Sequence, residues 1–136
     1  MSAILVDSGP LVAVLHRDDQ NHAACAGALS RLRGPLLTVW PAVTEAMYLL
    51  AFSWRGQNSL WEMLTSGALA VAPLEAADHP RMRELMRKYR DLPMDLADAA
   101  LVAVAERERI RTVFTVDQRD FNIYKPLRLG AFTLIP

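Results

Sequence analysis

The chain has 136 residues, 52% of them hydrophobic and 22% charged, a size and balance that fit one folded domain and exclude an intrinsically disordered polymer. Fifteen Lys and Arg offset fifteen Asp and Glu, for a formal net charge of zero at pH 7. This neutrality excludes a protein that grips nucleic acid by bulk attraction, so a phosphate-bearing partner must be held by local patches or through a metal ion.

Ala3 to Val6 is a short apolar run closed by Asp7, which reads as a first strand, and Ser8-Gly9-Pro10 turns the chain into a helix through Leu15. Asp19 to Leu32 has apolar residues at helical spacing, with Asp19 or Asn21 available as cap and Gly34-Pro35 as stop. Leu36 to Val39 reads as a second strand. Trp40-Pro41 opens a helix that continues through Phe52, because proline near the first turn lacks an N–H that would be unpaired there anyway. Another helix is expected from Asn58 to Thr65, broken by Gly67, with a third strand at Ala68 to Ala72. Ala76 to Tyr89 returns to helical spacing, with Leu85 and Met86 inward and Arg81, Arg83, Arg87, Lys88 and Arg90 mostly outward, and Pro93 ends the segment. From Asp95 an alanine-rich helix with a charged tail leads to strands at Thr112 to Thr115 and Ala131 to Leu134. Alternating short strands and helices predict one α/β domain over residues 1–136, a mostly parallel five-stranded sheet with helices on both faces, because parallel neighbours require helical crossovers.

In an open parallel sheet, ligands bind beyond the carboxyl ends of the strands. Acids at those ends are therefore the residues to watch. Asp7 closes the first strand, Asp117 follows the fourth, and Asp98 lies in the first turn of the helix preceding it. Glu45, in the otherwise apolar PAVTEAMYLLAF, falls in the early turns of the helix after the second strand. Each has an ordinary alternative: turn satisfaction for Asp7, Asp117 and Asp120, a place at the margin of an apolar face for Glu45, and an N-cap pairing for Asp95 with Asp98 three residues on. Together, four acids at one edge would raise one another's pKa unless a cation holds them, and hard oxygen ligands without Cys or His point to Mg²⁺ or Mn²⁺.

Four segments, ILVDSGPLVAVLHRDDQNH, PAVTEAMYLL, PMDLADAALVAVAER and VFTVDQRDFNIY, in this order and spanning nearly the whole chain, resemble the PIN-domain ribonucleases, specifically the toxins of VapBC toxin–antitoxin pairs. The resemblance implies a PIN-like α/β/α sandwich and a Mg²⁺-dependent endoribonuclease. It implies Asp7, Glu45, Asp98 and Asp117 as the catalytic acids, with Asp7, Asp98 and Asp117 holding metal. Thr115 matches a hydroxyl position that orients the last acid or a water, and Asp95 is an extra acid whose role as ligand or cap stays open. The resemblance also implies a homodimer, a VapB-type antitoxin as partner, structured RNA such as tRNA or ribosomal RNA as substrate, and products with 5′-phosphate and 3′-hydroxyl ends.

For holding RNA, the stretch RMRELMRKYR offers Arg81, Arg83, Arg87 and Lys88. Core packing is the expected role of most of Trp40, Tyr48, Phe52, Trp54 and Trp61, although an exposed pair would suit a dimer or antitoxin surface. His22 is read as a local capping residue, and Cys25, the single cysteine, as a small buried one with no internal disulfide partner. A soluble, cytoplasmic protein is expected: the start lacks the pattern of a secretory signal and no apolar run reaches membrane-spanning length. The rival reading is a catalytically silent PIN-like module that binds RNA or protein. A response-regulator receiver is disfavoured because Asp7 is followed by Ser8-Gly9 and neither lysine follows a strand, and a haloacid-dehalogenase-type phosphatase because Gly9 stands where a second aspartate is required.

Overall fold

The computed structural model describes residues 1–136. Five three-residue strands, β1 (Ile4–Val6), β2 (Leu36–Thr38), β3 (Leu69–Val71), β4 (Thr112–Phe114) and β5 (Thr133–Ile135), form one sheet in the order β3-β2-β1-β4-β5. Every neighbouring pair is parallel. The sheet is thus wholly parallel, where the sequence predicts it to be mostly so. β1 is central, and both its faces are covered by the seven helices α1 (Ser8–Leu15), α2 (His22–Arg31), α3 (Trp40–Leu49), α4 (Trp54–Ser66), α5 (His79–Lys88), α6 (Leu96–Glu108) and α7 (Gln118–Ile123).

The period-two alternation of a strand divides the interior into two cores. Ile4 and Val6 of β1 and Phe114 of β4 pack with Leu11, Val12, Val43 and Leu60, beneath α1 to α4. Leu5 and Val113 face the other way, onto Leu85, Tyr89, Phe121, Tyr124 and the alanine-rich face of α6. Alanine suits α6 because nine of its successive residues, Ala97 to Ala105, are buried; small side chains let the helix lie close against the sheet. Cys25 is fully buried in the first core.

Several boundaries differ from the sequence expectation. α4 begins at Trp54 because Ser53 caps it, its hydroxyl accepting from Gly56 N at 3.1 Å, and it ends at Gly67 in the left-handed conformation (φ 83°) that glycine adopts without strain. α3 stops at Leu49, short of Phe52. α2 begins at His22 with Asn21 at the cap position, while the Asp19 carboxylate accepts from Asn21 N. His22 does not cap; its Nδ1 lies 2.7 Å from the Ala13 carbonyl and ties α2 to α1. α7 is absent from the sequence reading, since six residues are too few for apolar periodicity to register.

The aromatic residues of α3 and α4 require a correction. Trp40, Tyr48, Phe52, Trp54 and Trp61 are all exposed, from 43% for Trp61 to 78% for Tyr48. The inward faces of these helices are filled instead by Ala42, Val43, Ala46, Leu50, Gly56 and Leu60, which leaves the large rings outside. No helix is long and apolar enough to cross a membrane.

Candidate active site

The carboxyl ends of β1 and β4 are adjacent, so the residues that follow them meet. The Asp7 amide extends the ladder by donating to Phe114 O at 3.0 Å. Its carboxylate then caps α1, accepting from Ser8 N at 2.8 Å through Oδ1, and accepts at Oδ2 from the Thr115 hydroxyl at 2.9 Å. Thr115 is fully buried and its Oγ1 also accepts from Asp117 N at 3.0 Å. One hydroxyl therefore sets the position of two acids, rather than only the later one. Gly9 permits this approach: a Cβ there would stand 2.5 Å from Val116 Cγ2, so any side chain would force Val116, next to Asp117, to shift.

α6 delivers the third acid. Asp95 caps the helix, accepting from Asp98 N at 2.8 Å, and Asp98 sits in the first turn, 9% exposed, with its Oδ2 accepting from the Tyr124 hydroxyl at 2.8 Å. Asp117 in turn caps α7, accepting from Asp120 N. Glu45, half-buried on the second turn of α3, lines a groove of about 630 Å³ together with Trp40, Thr44, Tyr48, Asp95 and Leu96.

The electrostatics identify these acids as one group. Asp7 is pushed up to about 6, chiefly by burial, with added repulsion from Glu45 and Asp95. Asp98 is pushed up to about 7, again chiefly by burial, with repulsion from Asp95, Asp7 and Asp117. Asp117 is raised by burial and by Asp120 and Asp95. Five acids from four separate segments thus act on one another across the carboxyl edge. None of Asp7, Glu45, Asp95, Asp98 and Asp117 takes part in a salt bridge; the ion pairs of the molecule involve Glu84, Glu106, Asp78 and Glu108. Burial would be tolerated more easily with a counter-charge, and the protein supplies none here.

This donor set fits a hard divalent cation: oxygen ligands only, partly fixed by hydrogen bonds, in an uncompensated negative field. No three acidic, histidine or cysteine side chains converge as a closed cage; the acids are gathered along the edge instead. Asp7, Asp98 and Asp117 are the residues that would hold the ion, with Glu45 and Asp95 at the groove side.

The basic residues divide. Arg81 is engaged by Glu106 through two 2.8 Å bonds, which hold its guanidinium in place and raise its pKa. Arg83, Arg87 and Lys88 are exposed. Arg83 borders a hollow that shares Leu96 with the groove beside Glu45. Sequence reasoning missed Tyr124: no local pattern marks a tyrosine 26 positions from the acid it contacts.

Comparison with known proteins gives a consistent picture. Residues 4–125 match the model of the PIN domain family. The chain is 30% identical over 135 residues to Ribonuclease VapC26 of Mycobacterium tuberculosis (strain ATCC 25618 / H37Rv), covering 98% of this chain and all of that one. Among solved structures, it is similar to Mycobacterium tuberculosis VapC20, described as a Sarcin-Ricin loop cleaving toxin, with a TM-score of 0.77, 18% identity and 86% of this chain and 93% of that one covered. It is also similar to VapBC2 from Rickettsia felis, in a structure bound to a DNA fragment from their promoter, with a TM-score of 0.64, 13% identity and coverage of 98% and 99%.

Proposed function

The chain belongs to the PIN-domain family, and from that premise we propose that it is a VapC-type toxin, a metal-dependent endoribonuclease that hydrolyses RNA phosphodiester bonds at the Asp7, Glu45, Asp98 and Asp117 cluster. The observation that carries this reading is the gathering of buried acids from distant segments at one sheet edge with no protein cation to offset them. A Mg²⁺ or Mn²⁺ ion held there would supply a more acidic water and positive charge against the phosphoryl oxygens. The chain's own residues do the rest. Asp7, Asp98 and Asp117 hold the cation, and Thr115 keeps Asp7 and the Asp117 backbone in fixed relation. Asp95 fixes the first turn of α6 and so the height of Asp98 at the edge. Glu45 or Asp117 accepts the proton from the attacking water. The groove beside Glu45 receives the strand that flanks the scissile phosphate, with Arg83, Arg87 and Lys88 outside it for neighbouring phosphates. Arg81, tied to Glu106, drops to a structural role in this reading.

The partners follow from the same family. VapC-type relatives include one solved as a VapBC pair, which supports a VapB-type antitoxin as partner, and the exposed rings of α3 and α4 offer that antitoxin, or a second copy in a homodimer, an apolar surface. The substrate is a structured RNA, of the tRNA or ribosomal RNA kind, in the cytoplasm.

The test is cleavage of RNA by the purified chain with and without Mg²⁺, beside Asp7→Asn and Asp98→Asn. Cleavage by the parent chain that needs the ion and disappears in both variants is the expected result. Equal cleavage by all three proteins would assign the activity elsewhere, and absence of cleavage with retained RNA binding would leave a silent binding module.

A further inference from the structure

The phenol of Tyr124 reaches an acid of the site from 26 positions along the chain. Tyr124 is 1% exposed. Its ring lies against Tyr89 at 5.1 Å and Phe121 at 5.2 Å between centroids, so packing, rather than the hydrogen bond alone, determines where the hydroxyl points. The main chain around it is also held: Tyr124 N donates to Asp120 O at the end of α7, and Lys125 N donates to the Tyr89 hydroxyl at 2.9 Å. A phenylalanine would fill this space equally well, and the buried hydroxyl requires a partner, which it finds only in Asp98 Oδ2. Burial and the adjacent carboxylate push the phenol's pKa up, so it remains a donor. Asp98 Oδ1 has no hydrogen bond from any protein group, whereas Oδ2 is occupied.

We propose that Tyr124 is a positioning residue for Asp98: by engaging Oδ2 it fixes the plane of the carboxylate and presents Oδ1 to the divalent cation. The inference rests on the nuclease reading above and adds a residue to it. It also gives α7 a purpose. This six-residue helix is capped by Asp117 at its start and by Tyr124 at its end, so one short element carries one acid of the site and the phenol that engages another.

Hydrogen-bond partners of metal-ligating groups typically alter metal affinity or activity about 10–100-fold when removed. Mn²⁺ binding measured by calorimetry on the parent chain, Asp98→Asn, Tyr124→Phe and Tyr89→Phe tests the proposal. Tyr124→Phe is expected to weaken Mn²⁺ binding by about 10–100-fold and to lower kcat with little change in KM for RNA. Tyr89→Phe keeps the ring that packs on Tyr124 and removes only the bond from Lys125 N, and is expected to lower the melting temperature and to weaken Mn²⁺ binding far less than Tyr124→Phe does. Parent-like affinity in Tyr124→Phe, or equal loss in Tyr89→Phe, overturns the positioning role while Asp98→Asn still loses the ion. A parent chain that binds no Mn²⁺ removes the metal-dependent reading and the proposal with it.

Discussion

The two ends of α6 carry the same residue types and treat them in opposite ways. At its C-terminal end, Glu106 takes both arms of Arg81, and Arg107 is paired with Asp78 and Glu108 while also donating to Pro73 O. At its N-terminal end, Asp95 and Asp98 face Asp7, Glu45 and Asp117 with no base among them. A net charge of zero therefore conceals a strongly uneven distribution. The paired end joins α5, α6 and the segment before β5, since Glu106 also accepts from Leu127 N; its charges are structural. The unpaired end is partly favoured by the dipole of α6, but an end-of-helix contribution of about 0.3–1 kcal/mol per acid is too small to offset the burial of Asp7 and Asp98 beside other acids. The difference separates a region whose charges are matched within the chain from one whose charges are not.

The largest expected effect lies at the unpaired end. Asp98→Asn should reduce Mn²⁺ affinity by at least about a hundredfold, beyond the 10–100-fold typical of a residue that only orients a ligand, and abolish RNA cleavage, without lowering the melting temperature in metal-free buffer. A large loss of melting temperature would make Asp98 a structural acid and erase the contrast. Next comes Arg81→Ala at the paired end, which strands the mostly buried Glu106 and should cost about 1–3 kcal/mol of stability in chemical denaturation, with RNA affinity within about twofold of the parent. A selective loss of RNA affinity would restore Arg81 as a substrate contact.

The third prediction concerns pH. Asp7 and Asp98 have pKa values near 6 and 7 in the fold against 3.8 ordinarily, so the folded state binds their protons more tightly than the unfolded chain. Their contribution to stability is complete below about pH 4 and is lost as pH rises through 6 and 7. In chelator, the melting temperature should therefore fall by several degrees between pH 5 and pH 8, and excess Mg²⁺ should reduce that fall. A melting temperature that rises over the same window in chelator would contradict the unpaired cluster. The smallest effect belongs to Trp54→Ser: a residue 69% exposed on the first turn of α4 should change stability by no more than about 0.5 kcal/mol and leave cleavage intact, while weakening capture of the antitoxin.

The approximate places of the strands and of the acids at their ends were readable because they rest on local signals. Three- to four-residue apolar runs stopped by an acid mark buried parallel strands, and the edge where Asp7 and Asp117 lie follows from the direction of the chain. Asp95 was readable as a cap from its spacing to Asp98 alone. What escaped is what depends on contacts distant in sequence. Arg81 and Arg83 look alike in RMRELMRKYR, and only the position of Glu106, 25 residues on, separates them. The rings of α3 and α4 have helical spacing, which reads as core; that Ala42, Val43 and Ala46 fill the interior instead is decided by how closely α3 approaches its neighbours. α7 offered no periodicity, and Tyr124 no motif.

The bond between Thr115 and Asp7 spans 108 positions. During translation, a chain of which only the first hundred residues have been made holds Asp7, Glu45 and Asp98 but neither the hydroxyl that steadies the first nor the acid that completes the set. The acid cluster of a nascent polypeptide is consequently incomplete until residue 117 has emerged and folded back beside the first strand.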